Sequence, residues 1–410
     1  MNRSPGLDRR TFLRGLAAAP AAWSLGQLGA WCPHGEDRSL IVLELQGGND
    51  GLATVIPTDS KAYGKLRPTL GSVRNGARAL GDGTALHAAL ANWHRHVIEG
   101  RATVVHGVGY AQPDRSHFRS RDIWQVGDPQ LQRVGASTTG WLGRAADLLA
   151  GQGAGVPAAA LGQLEVPLAL HGQRGVAPSL RSIEDFQWSS PSGPVLVGSA
   201  LRALVADGAA VGDLRAFVQR TQVQAVELAD DLRAALARYQ PQAEYPDSPL
   251  GRDLQLAARL VISGFGTRLL HVGLGGFDTH ARQLPTHAAL LGQLDAALDA
   301  FVRDLEGHRR TATTALLLHS EFGRRAAENA SQGTDHGAAA PVFVAMGGSV
   351  GGTLGSAPDL EDLLDGDVRC TIDFRSVYAE LLQWLGLDAA VVLGGQLPRL
   401  GLWPAPPTQR

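Results

Sequence analysis

Short apolar runs alternate with longer amphipathic stretches along this chain. Residues 40–45 (Leu-Ile-Val-Leu-Glu-Leu) read as a buried strand that ends in a Gly47-Gly48 turn. Residues 102–108 predict a second strand, followed by a loop and a helix over 116–125. The stretch 157–199 is rich in Pro, Gly and Ser and predicts loops with short strands, in the manner of a cap. Helical spacing of apolar residues recurs over 209–239, where Pro241 ends it, over 254–262, and over 287–305 with Leu290, Leu294, Leu298, Phe301 and Leu305. Further strands are predicted over 267–272, 315–319 and 341–346, and a last helix over 374–385 that Asp373 caps. No internal repeat is visible. This alternation predicts an α/β fold, a three-layer α/β/α sandwich with a mostly parallel central sheet.

Composition narrows the class. The 410 residues suffice for one large domain or two ordinary ones, and charged residues make up 19%. A formal net charge of −2 favours neither nucleic acid nor an anionic membrane as partner. Two cysteines, Cys32 and Cys370, argue against a disulfide framework. The N-terminus reads as an address. Arg9-Arg10 precede Thr11-Phe12-Leu13-Arg14 and an Ala-rich apolar run, the pattern of a twin-arginine (Tat) export signal over residues 1–30. Pro20 and the shortness of that run suit a signal better than a membrane span. The expected location is therefore periplasmic or extracellular, with the Tat machinery as a partner. The remainder, 38–405, is expected to form one domain, with a cap or insertion near 150–210.

Three polar islands each follow a predicted strand. They are Gly47-Gly48-Asn49-Asp50, Phe277-Asp278-Thr279-His280 and Gly333-Thr334-Asp335-His336-Gly337. In open α/β sheets ligands bind beyond the carboxyl ends of strands. Carboxylates and imidazoles grouped there suit a divalent metal. Asp50, Asp278, His280, Asp335 and His336 are thus the candidate ligands, although Asp50 alone also reads as a turn residue. Ser116 and His117 open a helix, where Ser116 either caps it or serves as a nucleophile beside a metal. In Ser320-Glu321-Phe322-Gly323-Arg324, Glu321 reads as a ligand or as the acid that orients a histidine and Arg324 as an oxyanion clamp, with a salt-bridged strand end as the alternative. Arg115, Arg119 and Arg121 are either anion-binding or solvated. His319 is ambiguous; His87, His94, His96 and His308 are expected at the surface.

These motifs, together with Thr139-Gly140-Trp141-Leu142-Gly143-Arg144 and Asp373-Phe374-Arg375-Ser376, resemble the family known as domain of unknown function 1501 over nearly the whole chain. That family is similar to the alkaline phosphatase and sulfatase superfamily. The resemblance implies an alkaline-phosphatase-like fold and an exported, metal-dependent hydrolase of a phosphate or sulfate ester. It implies one or two divalent ions (zinc, manganese or calcium) and an anionic ester, small or polymeric, as substrate. One ion would take Asp50, Asp335 and His336 with Ser116 nearby; the other would take Asp278 and His280. Two departures stand out: Asp278 and His280 are only two residues apart, and no histidine follows His336. The second ion therefore needs a substitute ligand from His117, His319 or Glu321. The alternative is a catalytically degenerate metal-binding envelope or assembly protein on the same fold.

Overall fold

The computed structural model describes residues 38–151, 156–175, 177–181, 189–190, 193–194, 236–264 and 266–403. The expected export signal, about half of the expected cap, and all but the end of the helix predicted over 209–239 lie outside these residues.

The main sheet is built from β1 (Ser39–Leu45), β2 (Ala102–Gly109), β3 (Ala158–Leu161), β4 (Ser179–Leu180), β5 (Leu269–Leu274), β6 (Thr314–His319), β7 (Ala340–Met346), β8 (Gly352–Leu354) and β9 (Ile372–Asp373). Its order is β8-β2-β7-β6-β1-β5-β3-β4, with β9 also paired to β2. All pairings are parallel except those of β7, which runs antiparallel to β6 and β2. The reversal has a simple cause. Every parallel return needs a crossover, usually a helix. Residues 320–339 contain none, so the chain doubles back and β7 descends beside β6.

Helices cover both faces. On one lie α1 (Ala91–Ile98), α4 (Pro249–Ser263) and α5 (Gln283–Gly307); on the other lie α2 (His117–Val126), α3 (Trp141–Ala150) and α6 (Phe374–Trp384). β1 shows why three layers form. Its Ile41, Leu43 and Leu45 join the core that contains Trp93, Leu254 and Leu298, while Leu40 and Val42 join the core that contains Trp124, Trp141 and Leu381. A strand buried on both faces reads as a continuous apolar run rather than an alternating one. The long α5 presents Leu291, Leu294, Leu298, Phe301 and Leu305, spaced by three or four residues, to the first core. Asp373 caps α6 by accepting from the Arg375 amide at 2.9 Å, as its position predicts. Two of the histidines expected at the surface are buried: His87, at 8% exposure, and His96, at 1%. His96 faces inward on α1 because Asp299 of α5 meets its Nε2 at 3.2 Å.

The arrangement places the site. β5, β1 and β6 are adjacent and in register, Leu45 beside Leu274 and Glu44 beside His319. The loops that follow them, carrying Asp50, Asp278, His280, Glu321 and Arg324, therefore leave the sheet side by side. No described helix is long and apolar enough to cross a membrane.

Candidate metal site

Close backbone approach assembles the loops. Gly47 has φ +114°, and a β-carbon there would lie 2.5 Å from the Asp278 nitrogen, so only glycine lets the first loop lie against the second. The Phe277 amide donates to the Gln46 carbonyl at 3.1 Å and ties the two together. The Thr334 amide bonds the Thr279 carbonyl at 3.3 Å, and Arg324 forms an isolated antiparallel bridge with His336. Arg324 sits under all of them, fully buried. Its Nε donates to the Gly48 carbonyl at 2.6 Å and its Nη1 to the Thr334 carbonyl at 2.7 Å; its Nη2 donates to the Gly47 carbonyl, to the Phe277 carbonyl at 3.1 Å and to Asp278 Oδ1 at 2.6 Å. Sequence reading left Arg324 as an oxyanion clamp or as part of a salt-bridged strand end. Here its three nitrogens are all spent on the protein, so it binds the loops together and neutralises Asp278 instead of clamping an oxyanion.

Three imidazoles converge on Asp278. The Nε2 atoms of His280, His336 and His117 lie 3.0, 3.2 and 3.5 Å from Asp278 Oδ1. Ligand atoms of His117, Asp278 and His336 all fall within 4.8 Å of one another. His280 joins from one side, its Nε2 2.9 Å from that of His336. The outer nitrogens are held by groups that only accept. His117 Nδ1 meets Glu321 Oε1 at 2.8 Å, His336 Nδ1 the Arg115 carbonyl at 2.7 Å, and His280 Nδ1 Asp335 Oδ1 at 3.4 Å. An acceptor at each Nδ1 fixes the Nδ1–H tautomer, in which the Nε2 lone pair turns inward. Burial works against the Asp278 charge, yet the Arg324 guanidinium holds its carboxyl down at about 2. Burial also pushes the His336 imidazole below its usual pKa and so favours its neutral form.

This donor set fits a cation. Lone pairs and an anionic oxygen crowd one point, and His117 Nε2 is buried without a hydrogen-bond partner. A buried polar atom left unpaired is costly, and a metal ion would satisfy it. Imidazole nitrogens with one carboxylate suit zinc or manganese rather than calcium, which prefers an all-oxygen shell.

The geometry rearranges the expected roles. Asp335 is 57% exposed at its side chain and stands behind His280, where its Oδ1 also accepts from the Asn329 amide at 3.1 Å. Glu321 is buried behind His117; besides that ring it accepts from the Gly47 amide at 2.9 Å and the Ser320 hydroxyl at 3.0 Å. That position suits the orienting role of the two read for it, since carboxylates behind metal-binding histidines commonly fix ring and tautomer. Asp50 does not join the group. It caps the short helix Gly51–Thr54, and its Oδ2 meets Arg67 Nη1 at 2.7 Å, both side chains at 0% exposure. The fixed Arg67 charge supplies what a metal ion was expected to supply. Ser116 is the N-cap of α2 but is exposed, and its hydroxyl has no hydrogen-bond partner among the described residues. Ser120, one turn on, is the buried serine, donating to the Glu321 carbonyl at 2.5 Å.

A second polar cluster escaped the sequence reading. Glu44, at 1% exposure, accepts from Arg121 Nε at 3.0 Å and from Gln125 Nε2 at 3.2 Å, and His271 Nε2 lies 3.5 Å away. Burial opposes its charge, but His271 and Arg121 outweigh it and hold its carboxyl at about 2. His319 stacks on Trp124 at 4.9 Å beside it. The available signal was a glutamate inside an otherwise apolar strand, since a buried charge requires partners.

An α/β sandwich with this cluster at its strand ends is the class of protein that fold and site define. Residues 37–399 match the family described as protein of unknown function DUF1501, and the chain belongs to that family. No curated protein matches the sequence. Among solved structures, the chain is similar to a protein of the alkaline phosphatase superfamily from Vibrio parahaemolyticus, at 11% identity and TM-score 0.41 over 91% of this chain and 71% of that one. It is also similar to the PsFucS1 sulfatase from Pseudoalteromonas sp., at 11% identity and TM-score 0.38 over 90% and 72%. A third is the C-terminal periplasmic domain of EcEptC from Escherichia coli in complex with Zn, at 11% and TM-score 0.35 over 77% and 74%. Likeness this distant transfers no residue role and no activity.

Proposed function

We propose that this protein is an exported, metal-dependent hydrolase of a phosphate or sulfate ester. The single observation that carries the metal is the convergence of three Nε2 atoms on Asp278 Oδ1, with His117 Nε2 left unpaired. In this reading His117, Asp278, His280 and His336 hold one ion, with zinc the first choice. When bound, such an ion acts as a Lewis acid on an ester oxygen or a water. Glu321 and Asp335 fix the imidazoles, and Arg324 holds the Asp278 oxygen in place. The open side of the cluster, where the Asp278 side chain is 48% exposed, leaves room for a substrate. Ser116 faces solvent, so water rather than serine is the nucleophile favoured here. The ester chemistry itself rests on the family resemblance, as do export by the twin-arginine route and a single domain over 38–405 with a cap.

The same observation on Ser116 keeps one rival in play, a metal-binding envelope protein without turnover. Elemental analysis of the purified chain, with assays on aryl phosphate and aryl sulfate esters, separates them. The proposal expects about one zinc or manganese per chain and turnover that His336→Ala and Asp278→Ala abolish together with the metal. Metal without turnover across a broad ester panel establishes the rival. Absence of both metal and turnover refutes the proposal.

A further inference from the structure

We infer that Arg121 builds an anion subsite beside the proposed metal site and takes a tetrahedral oxyanion, the phosphate or sulfate group of a substrate or product. The inference rests on the reading above that the site handles such esters. His117 and Arg121 stand one turn apart on α2, so their side chains share a helix face with β-carbons about 5–6 Å apart. The Arg121 Nε is anchored to Glu44, a buried carboxylate that Gln125 also holds. Behind it the Gln163 amide donates to His271 Nδ1 at 2.9 Å, which leaves the His271 Nε2–H facing Glu44. The anchor thus fixes the stem of the guanidinium. Its two terminal nitrogens have no partner among the described residues, and the side chain is 36% exposed. A guanidinium held at Nε with both Nη groups presented is a fork that matches two oxygens of one tetrahedral anion.

Three other arginines near the cluster do not offer this. Arg324 is buried with its nitrogens spent on loop carbonyls and Asp278. Arg115 puts both Nε and Nη2 on Asp367, the former at 3.0 Å. Arg119 lies two residues from His117 and so faces elsewhere on the helix. Glu44 balances the Arg121 charge, so the pair orients an anion that the metal ion attracts. Anion binding is therefore expected to require the metal.

The test is titration calorimetry of inorganic sulfate, with phosphate as a second probe, into the zinc-loaded full chain freed of excess zinc. Zinc content is measured on every sample. Arg121→Gln is expected to keep its zinc and lose at least about tenfold in anion affinity, the order lost with a charge-assisted pair of hydrogen bonds. Arg121→Lys keeps the charge but not the fork and is expected to recover only part of that loss; it also answers for Arg121→Gln should that variant fold poorly. Glu44→Gln, which weakens the anchor, is expected to reduce affinity without loss of zinc. Unchanged anion affinity in zinc-replete Arg121→Gln or Arg121→Lys overturns the subsite and leaves the metal reading intact. A wild type that binds zinc but no anion also overturns it. The manganese-loaded chain is used where zinc does not bind, and a wild type that binds neither ion overturns the metal reading and this inference together.

Discussion

Arg67→Met tests whether a fixed charge, rather than a metal ion, holds Asp50. Arg67 is fully buried, and its Nη1 lies 2.7 Å from Asp50 Oδ2, while Nε and Nη2 each donate at 2.9 Å to the Ala326 and Arg325 carbonyls. Methionine keeps the apolar stem but leaves the Asp50 carboxylate with the Gln283 amide and the Ala53 nitrogen alone. Breaking a buried pair from one side costs about 3–5 kcal/mol, because the remaining charge stays desolvated. Burial by itself pushes the Asp50 carboxyl up; the Arg67 charge and hydrogen bond outweigh it and bring the pKa below the ordinary value. In the wild type this depressed pKa stabilises the fold above the ordinary carboxylate range of about 4, and the benefit is lost only as pH falls through the lower folded value. In Arg67→Met burial wins and the folded pKa rises above about 4, so the Asp50 contribution is present below that pH and lost as pH rises. The gap between the two proteins is thus greatest near neutrality and narrows toward pH 4. Urea unfolding at several pH values reads it directly. Asp50→Asn combined with Arg67→Met should recover much of the loss at neutral pH, since no charge is then stranded. A gap below about 1 kcal/mol at neutral pH, against the 3–5 expected, or one that stays constant down to pH 4, refutes the reasoning.

Three other perturbations probe different layers. Glu321→Gln should lower zinc affinity by about 10–100-fold in a chelator competition, because the His117 ring loses its carboxylate; unchanged affinity removes Glu321 from that role. Gly333→Ala should cost about 1–3 kcal/mol in urea unfolding and weaken zinc binding as well, since the new β-carbon would lie 2.2 Å from the His280 carbonyl carbon; a variant equal to wild type in both shows the contact to be slack. Trp141→Ala should cost about 3–5 kcal/mol with metal affinity retained, because Trp141 is 1% exposed and stacks on Tyr378 at 4.1 Å on the sheet face away from α5; a cost under about 1 kcal/mol contradicts its core role.

Local pattern determined a good deal about this protein. The apolar run over 40–45 is legible as β1 because a strand buried on both faces needs no polar partner in alternation. The α5 stripe is legible because its spacing follows the helix turn. Asp278, His280 and His336 were nameable because carboxylate and imidazole beside glycine, just past a strand, is a short-range signal. Which groups meet is a long-range matter, and the sequence is silent on it. Glu321 stands 204 residues from His117, and Arg67 stands 17 from Asp50 in a stretch with no motif, yet each contact decides a role. Sequence alone offered Asp50 as a ligand or a turn residue, Arg324 as a clamp or a salt-bridged strand end, and Ser116 as a nucleophile or a helix cap, since each residue type allows both. Tertiary structure turned Asp50 toward a buried guanidinium, enclosed Arg324 in backbone carbonyls, left Ser116 in solvent, and placed a third imidazole, His117, on Asp278. The physical reason is that a side chain's chemistry is set by the partner that satisfies its charge or lone pair, and in a sheet of adjacent strands those partners come from distant parts of the chain.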